Sequence, residues 1–87
     1  MRAAVLTRAD FTDAKLLGAD LTAAILTGVN LARANLIGAI LTGAYLINAN
    51  LKGAIVDGAV LAGAYVSRGT ILPEGVSIGD FIVRKEE

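Results

Sequence analysis

Cysteine and histidine are both absent from the 87-residue chain. Their absence excludes disulfide bonds, thiolate nucleophiles, imidazole general bases and the commonest ligands of zinc, copper and haem. Proline occurs once, and aromatic residues make up only 5% of the chain. We therefore expect no catalytic residue, no cofactor and no metal site, and we interpret the protein as non-enzymatic.

Net charge is also lacking, because eight Lys and Arg residues balance eight Asp and Glu residues. No strong field is available to attract nucleic acid, an acidic membrane surface or a charged substrate. The closest group of carboxylates, Asp10, Asp13 and Asp20, lies beside Arg8 and Lys15, and we interpret it as a solvated charged surface. The sequence thus predicts no nucleic-acid partner and no small-molecule substrate.

Hydrophobic residues make up 55% of the chain, yet no segment is a convincing membrane span. Residues 34–51 carry no formal charge, and this segment is long enough to span a membrane. However, Asn35, Asn48 and Asn50 would place three amides in hydrocarbon. The apolar stretch that follows Arg2 is too short for a signal peptide. We expect a cytoplasmic protein with no membrane partner.

The dominant feature of the chain is a period of five residues that runs without slippage from residue 4 to residue 68. Its most regular position is a large apolar residue, occupied by Leu6, Phe11, Leu16, Leu21, Leu26, Leu31, Leu36, Leu41, Leu46, Leu51, Val56, Leu61 and Val66. Two places before each of these stands an alanine, except at Val29. The repeating unit reads Ala-x-Leu-x-x.

Neither a helix nor a straight strand accommodates this period. Five residues on an α-helix advance 140° beyond one turn, so the leucines would spiral around the axis. In a strand, Ala and Leu two places apart share a side, but an odd period sends the next pair to the opposite side. The chain must turn once per unit, and glycine in the last place of seven of the thirteen units favours such a corner.

If four corners close one turn, each coil has about twenty residues, with Leu and Ala inside and backbone hydrogen bonds between coils. The unit Ala-(Asp/Asn)-Leu-x-x, as in Ala9-Asp10-Phe11, Ala19-Asp20-Leu21, Ala34-Asn35-Leu36 and Ala49-Asn50-Leu51, resembles the pentapeptide-repeat family. The resemblance implies an all-β fold, a right-handed quadrilateral parallel β-helix of about four coils. Lys15, Ile25 and Tyr45 replace the usual Asp or Asn and leave the turn type open there.

We predict one domain over residues 1–83, with regular repeats at 4–68, a degenerate closing coil at 69–83 and a charged tail at 84–87. In the closing coil the alanine position fails, whereas Ile71, Val76 and Phe81 keep the large apolar phase. Residues 72–75, Leu-Pro-Glu-Gly, are predicted to form a turn that closes the array. Before Ala4 no comparable cap is present, so we expect a partner at that edge or a longer parent chain.

Residues twenty apart are expected to stack on one outer face. The four predicted columns are Val5, Ile25, Tyr45 and Tyr65; Asp10, Asn30, Asn50 and Thr70; Lys15, Asn35 and Ile55; and Asp20, Ile40 and Val60. Three of them become apolar towards the C-terminus, and the corner residues Leu17, Ile37 and Ile47 add to this surface. Our candidate interface comprises Val5, Ile25, Tyr45, Tyr65, Ile40 and Val60. The alternative is that β-branched and aromatic residues simply stack well on a β surface.

Two classes of function follow. The first, which we favour, is a structural scaffold or protein–protein interaction module that presents flat β-helix faces to a protein partner or to a second copy in a homodimer. The second comes from the resemblance, since some pentapeptide-repeat proteins are elongated acidic DNA mimics that bind DNA gyrase and confer quinolone resistance. Zero net charge and the short chain disfavour this alternative.

The predicted register is tested by substitutions at inward and outward positions. Leu36→Asp or Leu41→Asp should abolish folding, because the charge would enter a dry, narrow core without a partner. Outward Asn30→Ala or Thr22→Ala should change stability by about 1 kcal/mol or less. Thermal melting followed by circular dichroism measures both, and an unchanged melting curve for Leu36→Asp would contradict the inward assignment.

Overall fold

The computed structural model describes residues 2–76 and 81–83, and over this part the chain winds into a stack of four-sided coils. Parallel bridges join residues twenty apart, starting with Val5↔Ile25, Asp10↔Asn30, Lys15↔Asn35 and Asp20↔Ile40. Each later coil repeats the pattern on the coil before it. The predicted coil length and the four faces are therefore confirmed.

Regular strands are short because each face contributes only about three extended residues between two corners. Two strands extend beyond a single bridge, β1 (Tyr65–Val66) and β2 (Ile82–Val83). They pair in parallel, with Tyr65 opposite Ile82 and Val66 opposite Val83. Within residues 2–76 and 81–83 there is no helix long and apolar enough to cross a membrane.

Backbone hydrogen bonds join the coils at both the faces and the corners. On the first face, Ile25 N–H donates to the Ala4 carbonyl (2.8 Å) and Leu6 N–H donates to the Ile25 carbonyl (2.8 Å). At the next corner, Arg8 N–H donates to the Thr27 carbonyl (2.9 Å) of the following coil. Because these hydrogen bonds recur in successive units, the backbone N–H and C=O groups find partners without a conventional sheet.

The interior consists of the two apolar positions of every unit. Leu31, Leu36, Leu41 and Leu46 are each 0% exposed, and the alanines beside them are equally buried. In the first coil Leu6, Phe11 and Leu16 are only partly buried but pack against the same cluster. Each fully buried leucine stabilises the fold by roughly 1.5–3 kcal/mol relative to an exposed one. The predicted inward register is confirmed.

The corners up to residue 63 share one backbone conformation. The last residue of each of these units has a positive φ, whereas the residue before it does not, and this combination is typical of a type II turn. Arg68, which ends the last regular unit, does not adopt it. Glycine fills seven of these places, but Ala3, Arg8, Asp13, Ala23, Arg33 and Asn48 adopt it as well, with φ between 57° and 62°. The corners after Lys15, Ile25 and Tyr45 are no exception, which answers the question left open by the sequence.

The Asp or Asn of the repeating unit caps the corner that follows it. In each case its Oδ1 accepts a hydrogen bond from the backbone N–H two residues on, as in Asp10 to Thr12 (3.0 Å) and Asn35 to Ile37 (3.1 Å). Asp20, Asn30 and Asn50 make the same contact. This Asx turn pre-forms the corner, so the residue type serves local geometry rather than chemistry.

One unit near the C-terminal end contains an extra residue. The bridge that continues from Asn50 reaches Ile71, and not Thr70 as the sequence predicted. Ile71 is 47% exposed, while Leu72 packs against the core in its place. The prediction that Ile71 keeps the inward phase is therefore wrong, because a periodic pattern does not reveal a one-residue insertion when two large apolar residues are adjacent.

A buried polar network holds the widened corner. Ser67, only 2% exposed, has an Oγ that accepts from Asn48 N–H (3.1 Å) and donates to Asn48 Oδ1 (3.1 Å). Thr70 Oγ1 accepts from Ser67 N–H (3.0 Å) and donates to the Leu46 carbonyl (2.6 Å). A Cβ at Gly69 would collide with the Asn48 amide oxygen, which could move aside only by disturbing its hydrogen bond from Ser67.

The chain then turns at Pro73–Val76, where Val76 N–H donates to the Pro73 carbonyl (3.2 Å) and Gly75 has φ 86°. The predicted closing turn is therefore present, one residue later than its predicted start. Val76 is partly buried and Phe81 is buried, as the sequence predicted. Residues 77–80 and the predicted tail at 84–87 lie outside the described part of the chain.

Replacing a corner residue of positive φ by glycine tests the assigned corner conformation. Ala23 has φ 60°, a conformation that costs an L-residue with a Cβ about 1–2 kcal/mol. Ala23→Gly should raise the free energy of unfolding by roughly 0.5–1 kcal/mol, because glycine removes more strain than it adds unfolded-state entropy. Ala62→Gly is the matched control, since Ala62 is the fourth residue of its unit and has no positive φ. This variant should lower the free energy of unfolding. Urea unfolding measures both; the same sign for both variants would contradict the corner assignment.

Candidate protein interface

Four side chains of the candidate interface stack along one face. Parallel bridges connect Val5 to Ile25, Ile25 to Tyr45 and Tyr45 to Tyr65, as the predicted column requires. The two tyrosine rings are in contact, with centroids 4.7 Å apart and planes inclined at 44°. Val5 is 69% exposed, whereas the other three are half-buried by their neighbours. This column forms an apolar surface along the length of the coil stack.

The two remaining candidate residues lie on the adjacent face. Ile40 and Val60 are bridged to each other, and they are 37% and 45% exposed. Between Ile40 or Val60 and the tyrosines, the corner carries the small residues Thr42, Gly43, Ala62 and Gly63, whereas Arg2 lies at the charged end of the same corner. The fold therefore brings all six candidates onto two adjoining faces, which we call the tyrosine wall: Val5, Ile25, Tyr45, Tyr65, Ile40 and Val60.

Other outward apolar residues depart from the sequence-based picture in two places. Leu17 and Ile37 are exposed, at 61% and 38%, as the sequence predicted, but Ile47 is only 7% exposed. We attribute the burial of Ile47 to the widened corner at Ser67, which is the next corner along the same column. Because Ile71 replaces Thr70 in its column, all four faces become apolar towards the C-terminus, and not three.

Charge is concentrated at the opposite end of the stack. The first coil carries Arg2, Arg8, Asp10, Asp13, Lys15 and Asp20 on its outer surface. Asp13 pairs with Arg33 of the next coil (2.9 Å), and Asp20 lies 3.7 Å from Arg2. Asp10 stacks under Asn30 and Asp20 stacks under Ile40, so acids do not follow one another along these columns. The surface therefore changes from charged to apolar along the axis.

The titration of two carboxyl groups reflects the corner caps. Hydrogen bonds from the Thr12 side chain and backbone lower the pKa of Asp10 below its ordinary value, and Thr22 lowers the pKa of Asp20 in the same way. The pKa of the Arg33 guanidinium is raised, first by its hydrogen bond to Asp13 and then by the charge of that carboxylate. These shifts have local structural causes and do not mark a reactive group.

The described residues offer a surface for contact rather than a chamber for chemistry. No cavity of ligand size occurs among residues 2–76 and 81–83, since Leu and Ala fill the tube. Over the same residues, no cluster of acidic side chains is arranged as a metal site. What this arrangement can provide is a rigid array of outward side chains on flat faces.

Residues 4–43 and 44–68 match the family model of pentapeptide repeats, in eight copies. The crystal structure of the pentapeptide repeat protein Rfr23 from the cyanobacterium Cyanothece 51142 is similar, with 34% identity and a TM-score of 0.76 over 77% of this chain. This chain spans about half of that one (46%). The crystal structure of alr5209, a pentapeptide repeat protein from Nostoc Pcc 7120, is 28% identical with a TM-score of 0.47, over 95% of this chain and 83% of that one. Among curated proteins, none matches.

The lowered pKa values of Asp10 and Asp20 predict a pH effect on stability. Their contribution is fully present above the ordinary carboxyl pKa of 3.8 and is lost as the pH falls through the lower folded-state values. Asp10→Asn with Asp20→Asn keeps the capping oxygen, as Asn30 and Asn50 do, but removes the charge. The decline of the melting temperature below about pH 4 should become shallower. Asp57→Asn is the control, because that carboxylate caps no corner among the described residues; an equal effect of both variants would contradict the capping explanation.

Proposed function

The chain belongs to the pentapeptide-repeat family and folds as a right-handed quadrilateral β-helix, and from this premise we propose that it is a non-catalytic protein-interaction module. Its contact surface is the tyrosine wall. The observation that carries the proposal is the continuity of this wall, in which apolar residues of two adjoining faces meet across the small corner residues Thr42, Gly43, Ala62 and Gly63.

The scaffold supports this role because it fixes the wall in advance. Tyr45, at the centre of the wall, is held between two neighbouring coils. Its N–H donates to the Ala24 carbonyl (2.9 Å), and Leu46 N–H donates to the Tyr65 carbonyl (2.7 Å). Little backbone entropy remains to be lost when a partner docks. A pre-organised surface of this kind favours binding at modest contact area.

The chemistry of the wall also favours a protein partner. Tyrosine offers a large apolar body with a polar tip and is enriched at the centres of protein interfaces. The small corner residues allow a partner to approach both faces at once. Exposed Val5 extends the apolar surface along the axis, and exposed Val60 extends it onto the adjacent face. The wall therefore fits a flat, largely apolar surface of another protein.

Removing the two tyrosine rings tests this function. Tyr45→Ser with Tyr65→Ser should weaken partner capture or self-association, because truncation of a central aromatic typically costs about 2 kcal/mol or more of binding. The coil should remain folded, since both residues point outward, although loss of the ring contact is expected to lower its stability by about 0.5–1.5 kcal/mol. Pull-down from the source organism and sedimentation velocity measure binding, with circular dichroism as the folding control.

Ile71→Ser is the matched variant, since it removes an exposed aliphatic side chain from another face. It should leave capture unchanged. If the double tyrosine variant retains the same partners and the same sedimentation as the wild type, the wall is only a well-packed β surface and the proposed function is wrong.

A further inference from the structure

A second apolar surface lies on a part of the coil stack that the tyrosine wall does not include. Leu17, Ile37 and Ile55 are 61%, 38% and 46% exposed, so all three present large aliphatic side chains to solvent. Lys15 and Asp57, both exposed, lie at diagonally opposite ends of this surface. We call these five residues the corner patch.

The corner patch consists of two parallel columns that span three coils. Along the face, bridges join Lys15 to Asn35 and Asn35 to Ile55. Along the adjoining corner, Gly18 N–H donates to the Ile37 carbonyl (2.8 Å) and Gly38 N–H to the Asp57 carbonyl (3.0 Å), which stacks Leu17, Ile37 and Asp57. The first coil thus presents Lys15 and Leu17, the second Asn35 and Ile37, and the third Ile55 and Asp57.

The fold itself gives no reason for these side chains. At the same corner position, Thr7, Thr12, Thr22, Thr27 and Thr42 satisfy the turn elsewhere in the array. Lys15 and Asp57 form no ion pair within the described part of the chain, whereas Asp13, Asp20 and Arg33 do. Three exposed aliphatic residues between two unpaired opposite charges are typical of a contact surface.

We propose that the corner patch binds the corner patch of a second copy of this chain, with the two coil axes antiparallel. A two-fold axis through the second coil then places Ile37 against Ile37 of the other copy. The first coil of each copy lies opposite the third coil of the other, so that Leu17 packs beside Ile55. Each column then faces the same column of the other copy, so Lys15 lies over Ile55 and beside Asp57 of the other copy. Its long side chain reaches that carboxylate, and both charges are paired.

Charge complementarity selects this orientation. With the axes parallel, the first coils would face each other, and Lys15 would lie against Leu17 of the other copy. Asp57 would then lie against Ile55, and neither charge would gain an opposite partner. The antiparallel arrangement pairs two opposite charges twice and packs apolar atoms between them, which is the self-complementarity that an isologous contact requires.

The contact is small, so the association is weak. Three coils at a spacing of about 4.8 Å give a patch only about 10–15 Å tall, well below the size of a standard stable interface. We therefore expect a dimer that forms at high protein concentration and dissociates on dilution. Added salt should also weaken it, because the two ion pairs are at the solvent-exposed rim.

Reversal and exchange of the two charges tests the proposal. Lys15→Glu places two carboxylates together at each end of the contact, and Asp57→Lys places two ammonium groups there. Each variant alone should dimerise about tenfold more weakly than the wild type. An equimolar mixture of Lys15→Glu and Asp57→Lys should recover association as a heterodimer, because every contact across the axis then joins opposite charges. Sedimentation equilibrium over a concentration series measures all three.

Arg8→Glu is the matched control, since it makes the same charge change in the same coil at the corner farthest from the patch, and it should dimerise like the wild type. A monomeric wild type at the highest concentration, or a mixture no stronger than its components, would overturn the proposal. Ile37→Asp gives an independent check, because two like charges on the axis should abolish the dimer. These results do not bear on the tyrosine wall, because Lys15, Ile37 and Asp57 lie outside it.

Discussion

The odd length of the repeat unit is the constraint on which the rest of the structure depends. An extended chain alternates its side chains, so a five-residue unit returns Ala and Leu to the same interior only if the backbone reverses its phase once per unit. A single residue of positive φ supplies this reversal at each corner up to residue 63. Four such corners stack each residue on the one twenty places before it, and the faces, hydrogen-bond ladders and outer columns follow.

Two local devices share the work of forming the corners. Among the five units whose Asp or Asn caps the corner, only Gly38 and Gly53 are glycines at the positive φ, and Asp13, Ala23 and Arg33 occupy the other places. Among the seven units from residue 5 to residue 63 without Asp or Asn before the large apolar residue, five use glycine. A side-chain cap therefore compensates for a conformation that is unfavourable to a residue with a Cβ.

The fold was predictable from the sequence because the interior repeats at every unit and leaves no alternative period. Leu36 and Ala34 belong to a pattern sampled thirteen times, and one substitution such as Val29 does not obscure it. The columns of the tyrosine wall follow from the same arithmetic. The exposure of Ile71 and the burial of Ile47 were not predictable from the period. We attribute both to the extra residue in the corner at Ser67, whose side chain bonds to Asn48 of the preceding coil.

Within the regular repeats each residue stacks on the one twenty places before it, and this constrains how the gene can change in length. A duplication of five residues preserves the interior and the backbone ladder but rotates everything downstream by a quarter turn. Inserted between Tyr45 and Tyr65, it would move Tyr65 above Asn50 and break up the tyrosine wall. A duplication of twenty residues lengthens the stack and keeps each surface. Insertions whose length is a multiple of five can thus move surfaces from face to face without altering the core. An insertion of a different length requires a corner of altered conformation, like the one around Ser67.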